Sequence, residues 1–395
     1  MRQQLSAPAA RAMAASAVAT ALVTMPVFLF ASLSVPIRAE LGFDEVLHGA
    51  AVSSFFGVSA AASPSGGWLA DRLGAGAAVA TGTTLTVLAT AVLALAAVRP
   101  WHLVVLLAAA GVANAIAQPG ANALLAQAVA TQRQGLAFGV NQVSAPLAAL
   151  LAGVAIPTVA VTVGWRWAFT APLVLGVALL AIWPHRGVPP ARTVATGLSL
   201  RTALRQRDLL LLTAASALAS GGVNAMIAFF VTAAVDTGLA PSAAGWIFVV
   251  GSAAGIATRV VYGWRADRLP NRNYLRRVSM LMIVGAVGIA ALVPGQQLLL
   301  PAAAVVAFGA GWGWNGLFNY SVVSRYRSSP AIALGVATSG VFIGGALGSL
   351  TFGALAGHYG FALAWGVAAA CLVTAGLLIR VVAPPHADPA GERAG

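Results

Sequence analysis

One arginine stands alone inside a long apolar run. Arg259 lies within residues 241–263, where no other charged side chain occurs. A guanidinium is planar and permanently charged, and its fork of N–H donors matches a carboxylate in a bidentate pair. Side-chain amides recur elsewhere at helical spacing. Asn114, Gln118 and Asn122 fall four residues apart, as do Ser216, Ser220 and Asn224, and Asn315 with Asn319. Asn141, Gln142 and Ser144 form a further polar group, and Thr20 with Thr24 another. Such groups orient neutral polar functions by hydrogen bonds. The nine acids all fall between or at the ends of apolar runs. No P-loop, metal-ligand cluster or nucleophile–base pairing is present, so the expectation is no enzyme, no cofactor and no metal. Cys371 is the one cysteine, which excludes an internal disulfide.

The elements that must position these residues are apolar helices. Hydrophobic residues make up 59% of the 395, charged residues 8%, and mean hydropathy is +0.88. No soluble domain of this length could bury that much apolar surface. Twelve runs, several close to the length that crosses a bilayer, fall near 12–36, 48–66, 77–98, 102–129, 135–160, 166–184, 209–235, 241–263, 278–293, 298–323, 331–355 and 361–381. The net charge of +13 rests on 22 basic residues, all arginine. Their interleaving with apolar runs argues against nucleic acid as a partner. An amide facing lipid would leave donors and acceptors unpaired, so the polar stripes are expected to face an aqueous interior or to bond neighbouring helices. Trp312, Trp314, Phe318 and Tyr320 are candidates for aromatic walls of that interior. Glycines four apart (Gly135 and Gly139, Gly251 and Gly255, Gly340, Gly344 and Gly348) are expected to pack helices closely.

The chain is duplicated. Gly67-Trp68-Leu69-Ala70-Asp71-Arg72-Leu73 returns 196 residues later as Gly263-Trp264-Arg265-Ala266-Asp267-Arg268-Leu269, with six of seven residues unchanged. Leu136–Val140 falls on Ile332–Val336 at the same offset, and Gly164 on Gly360. Internal symmetry at half the chain length predicts two similar bundles. With the N-terminus inside, 18 of the 22 arginines fall on the cytoplasmic side, and Arg38, Arg99 and Arg166 fall outside. That bias places both copies of the repeat in the cytoplasm. The expected division is a six-helix bundle over 1–184, a cytoplasmic linker over 185–207, a second bundle over 208–383 and a cytoplasmic tail over 384–395. The linker reads equally as a short surface helix or as solvated chain.

Gly67–Gly74 resembles the signature of the major facilitator superfamily, found between that family's second and third helices. The second copy resembles the degenerate repeat of the same signature. The family usually has two basic residues after the glycine, whereas Ala75 and Gly76 follow here. The resemblance implies an all-α membrane fold of twelve transmembrane helices in two pseudo-symmetric six-helix bundles. It also implies alternating access about a midplane site, with Asp71, Arg72, Asp267 and Arg268 as gating residues. Arg259 followed by Gly263 is similar to a pattern in monocarboxylate and oxalate–formate transporters, where the resemblance implies an arginine that binds the substrate carboxylate. Gly255 stands where the monocarboxylate pattern has an acid associated with proton coupling.

The expected function is secondary transport of a small polar or anionic organic solute, with a carboxylate as one candidate. Candidate binding residues are Arg259, Asn114, Gln118, Asn141, Asn224, Asn315, Asn319 and Trp312. The competing reading of Arg259 is structural: it lies four residues before Gly263 and could snorkel to the cytoplasmic face or pair with a motif carboxylate. The competing function is efflux of drugs or other hydrophobic compounds; Ser144-Ala145-Pro146 is a partial match to the Gly-Pro signature of such antiporters. Expected partners are the substrate, membrane lipid, and protons or a counter-substrate, with a monomeric chain in the inner membrane of a bacterium.

Overall fold

The computed structural model describes residues 7–128, 134–182, 202, 205–268, 274–326 and 330–383. The expected linker falls almost wholly outside the described residues, and the expected tail entirely so. Fourteen α-helices account for the described chain, and no strand occurs among these residues. The first half holds α1 (Ala7–Ser32), α2 (Ser34–Leu41), α3 (Glu45–Leu73), α4 (Ala75–Ala96), α5 (Pro100–Ala128), α6 (Gln134–Ala155), α7 (Trp165–Ala168) and α8 (Thr170–Ile182). A π-helical turn, Ile156–Ala160, continues α6. The second half holds α9 (Arg207–Asp236), α10 (Pro241–Arg268), α11 (Leu275–Ala290), α12 (Leu300–Arg325), α13 (Pro330–Tyr359) and α14 (Phe361–Val382).

Over its described residues each expected apolar run is mostly helical. Ten stretches are long and apolar enough to cross a membrane. The other two runs differ for physical reasons. α11 has 16 residues, about 24 Å at 1.5 Å per residue, against a hydrocarbon core of about 30 Å. α12 is long enough, but Trp312, Trp314, Asn315, Asn319 and Tyr320 dilute its apolar character.

The duplication extends to the backbone. Gly42 ends α2 with φ +64°, and Gly238, its equivalent 196 residues on, follows α9 with φ +93°. Gly164 opens α7 at φ +101°, and Gly360 opens α14 at φ +83°. A residue with a Cβ is disfavoured in that region, so the repeat keeps glycine at matched turns.

The halves meet along α3 against α13, α6 against α10, and α1 against α9. α13 carries two glycine faces. Gly340, Gly344 and Gly348 lie on α9, where a Cβ at Gly348 would come within 2.3 Å of Gly221 Cα. Gly345, Gly353 and Gly357 lie on α3 in the other half, against Phe56, Gly49 and Val46. Close approach of this kind replaces the hydrophobic drive that lipid cannot supply. Gly251 and Gly255 pack on Phe308 of α12 as the stripe predicts, whereas the side-chain surroundings of positions 135 and 139 lie outside the described residues.

The two ends of the molecule differ. At the end carrying α2, Phe30, Phe43, Phe55, Phe229, Phe230 and Phe352 belong to one buried cluster drawn from both halves. Arg166 pairs with Glu40 there and donates to Ala97 O at 2.8 Å. Partial burial raises the Glu40 carboxyl, but hydrogen bonds from Arg166 and Trp165 and the Arg166 charge together outweigh it and bring the group below the usual carboxylate range. At the end carrying the repeated motif, Trp68 and Trp264 are each more than half exposed.

Candidate functional site

Arg259 is at the seam between the halves. It stands 18 residues into α10, about 27 Å along the axis from Pro241 and about 14 Å from Arg268. Its side chain is 8% exposed and turns inward, so it does not snorkel. Nε and Nη2 donate to Trp312 O of α12 at 3.3 and 2.9 Å, and Nη1 donates to Gln142 O of α6. The guanidinium carbon lies 5.2 Å from the centre of the Trp312 ring. That ring meets Phe28 of α1 edge-on at 6.1 Å and Phe308 at 6.3 Å. Four helices, α1, α6, α10 and α12, therefore converge on this one cation.

Why Gln142 offers its carbonyl follows from the sequence. In an α-helix that oxygen accepts from the N–H four residues on. Here the fourth residue is Pro146, inside α6, and proline has no N–H. The oxygen is left without its helical donor, and Arg259 supplies one from the other half. A proline four residues after a polar cluster was the available signal for this acceptor, which the sequence reading did not use. Phe28 was likewise not anticipated.

Both partners of Arg259 are neutral carbonyls. A buried charge is stabilised best by an opposite charge, and dipoles compensate it only partly. Arg259 pairs with no carboxylate among the described residues.

The amides divide into two groups. Some link helices within a half, as the interhelical reading allows. Asn114 is buried and donates to Ser59 Oγ at 3.2 Å. Asn141 accepts from Ser16 and Thr20 of α1 at 3.3 and 3.0 Å and donates to Asn122 of α5 at 3.1 Å. Ser216 and Ser220 donate to Ala337 O and Val341 O of α13 at 2.7 and 2.8 Å. The others are nearer open space. Gln118, Asn224 and Asn315 are half-buried and Asn122 is exposed. Asn224 donates to Ser220 Oγ at 2.7 Å. Asn319 is 8% exposed, and its carbonyl oxygen has no partner among the described residues. The aromatic wall is narrower than expected: Trp314 and Phe318 pack into a core within the second half, and Tyr320 meets Tyr274 at 5.7 Å. Trp312 alone of the four reaches the seam.

Of the gating candidates, Arg72 is exposed and lies 4.8 Å over the Trp68 ring. The side chains of Asp71, Asp267 and Arg268 lie outside the described residues, though their positions end α3 and α10. No group of three or more potential metal ligands occurs among the described residues.

Contacts that join the halves run from Ser34–Thr232 (2.7 Å) at the α2 end, through His48–Phe229 and Phe28–Trp312, to Arg259–Gln142. α3 and α13 touch from Glu45 beside Gly353 to Gly57 beside Ala346. The family model of the Major Facilitator Superfamily matches residues 16–332, well over half of the chain. No curated protein matches it.

Proposed function

The chain belongs to the Major Facilitator Superfamily and is a secondary transporter of the membrane, and on that premise we propose that its cargo is a small polar or anionic organic solute, foremost a carboxylate. The observation that carries this reading is the buried Arg259 guanidinium, whose hydrogen-bond acceptors among the described residues are neutral carbonyls. An arriving carboxylate offers the fork a bidentate pair with an opposite charge, where the carbonyls offer only dipoles. It displaces Gln142 O and thereby loosens a tie between the halves. Gln118, Asn224, Asn315 and Asn319 orient the neutral remainder of the solute, Trp312 supplies an apolar wall, and Asn114 and Asn141 hold the helices that present it.

In this reading, twelve spans in two bundles, 1–184 and 208–383, rock about the Arg259 level on a linker over 185–207. The motif end and both termini face the cytoplasm of a bacterial cell. The packed α2 end and the exposed motif end then correspond to an inward-open state. Asp71, Arg72, Asp267 and Arg268 act in the opposite state, when the motif ends approach. Efflux of hydrophobic compounds is the second reading, favoured by the ring cluster of Phe28, Phe308 and Trp312.

A thermal-shift screen of the purified protein across organic acids, sugars, amino acids and hydrophobic cations separates the two, since a ligand of the folded state raises apparent stability by mass action. Shifts confined to small acids support the first reading. Shifts confined to hydrophobic cations overturn it.

A further inference from the structure

We propose that His48 is a proton-binding site that governs the seal between the halves at the α2 end, where the neutral ring completes the closed seal and a proton from the adjoining solvent holds it open. The proposal rests on the chain's being an alternating-access transporter and not on the identity of the cargo.

His48 is fully buried three residues into α3. Its ring centre lies 5.1 Å from Phe30 and 6.3 Å from Phe43, both edge-on, and 4.3 Å from Phe229 of the other half. Phe352 of α13 backs Phe229 at 4.8 Å. Neither ring nitrogen has a hydrogen-bond partner among the described residues. A neutral imidazole buries one donor here, which aromatic faces satisfy only weakly. An imidazolium would bury two donors and a charge in an apolar box.

The neighbouring charges do not rescue the cation. Arg38 of α2, whose guanidinium carbon is 5.8 Å from the Phe43 ring, carries the same sign. Glu45 of α3 is paired with Arg38 at 2.6 Å. Asp44 accepts from Leu47 N at 2.8 Å as the helix cap. α1 contributes Phe30 to the box, α9 contributes Phe229 and α13 contributes Phe352, none of which titrates. Packing does not require an imidazole at this place in the repeat, because the equivalent residue of the second half is the equally buried Ala244.

The box is assembled from both halves, so opening the α2 end parts His48 from Phe229 and wets the ring. An imidazole in water titrates at ~6.5. The proton comes from and returns to the solvent on that side, so the step moves no net proton across the membrane.

The test follows the distance between spin labels at Val98→Cys and Leu298→Cys, two exposed positions flanking the α2 end in different halves, in Cys371→Ala protein in lipid nanodiscs without cargo. Between pH 8 and pH 5 the closed-to-open ratio should fall, by up to about tenfold per unit below ~6.5. His48→Gln and His48→Leu should keep one population throughout. A pH-independent distance in the protein with His48 intact overturns the proposal, as does an unchanged pH dependence in either folded variant. The readout uses no cargo, so a failed carboxylate screen leaves this outcome unaffected.

Discussion

Position 63 and position 259 occupy the same place in the two halves of the repeat, one in α3 and one in α10. Ser63 turns back on its own helix and donates to Ser59 O at 2.5 Å. Arg259 crosses to the other half and binds the carbonyl that Pro146 leaves free. The same asymmetry recurs at three other pairs. Ala152 in α6 corresponds to Gly348 in α13, where the helix crossing leaves no room for a methyl group. Glu40 is held by Arg166 and Trp165, whereas its equivalent Asp236 borders a cavity of about 200 Å³ beside Phe361 and Ala362, the equivalents of that tryptophan and arginine. His48 corresponds to Ala244. Duplication supplied the scaffold and its turn glycines. The chemistry stands where the copies have diverged.

Three substitutions probe that contrast. The largest effect is expected from Arg259→Ser, which makes the second half like the first at the seam. Losing a charge-assisted hydrogen bond of roughly 1.5–3 kcal/mol should weaken affinity for a carboxylate cargo about 10- to 150-fold, measured by calorimetry on folded protein. Undiminished carboxylate binding by that variant would return Arg259 to a purely structural tie. Gly348→Ala imposes the first-half residue on the α9–α13 crossing. The added methyl group meets Gly221 Cα at 2.3 Å, and overpacking of this kind typically costs about 1–3 kcal/mol. A lowered midpoint in thermal unfolding is the expected result, and an unchanged midpoint would mean the crossing is looser than described. The smallest effect is expected from Ala362→Arg, which copies Arg166 beside Asp236. An exposed ion pair contributes about 0.2–1 kcal/mol, so the same assay should show a slight rise that high salt abolishes.

Much of the fold was legible before any coordinates. The repeated motif, the apolar runs and the matched glycines 164/360 together define two related bundles, and the arginine counts grouped Arg38 with Arg166 at the end where the structure finds both; the second matched pair, 42/238, emerged from the backbone. Arg259 was legible as well, because a lone charge in an apolar run needs a reason. Its partners were not. A freed carbonyl is a property of backbone spacing, and which donor reaches it depends on how α6 and α10 cross. The amide stripes were ambiguous for a related reason. Helical periodicity places Asn114 and Asn122 on one face, but it does not tell whether that face meets Ser59 of a neighbouring helix or open space. His48 escaped notice because it lies so close to the start of its helix. From sequence it reads as part of a loop boundary, and only the approach of α9 makes it interior.

The acceptor that holds Arg259 belongs to the main chain of residue 142, not to its side chain. Among descendants of a common ancestor, position 142 should therefore drift without consequence, since every residue type brings the same oxygen. Selection would act on the pair at 146 and 259, one of which frees the oxygen while the other supplies its donor. A survey for correlated change would report those two as linked and residue 142 as silent. The lineage would thus preserve a hydrogen bond while freely rewriting one of the two residues that make it.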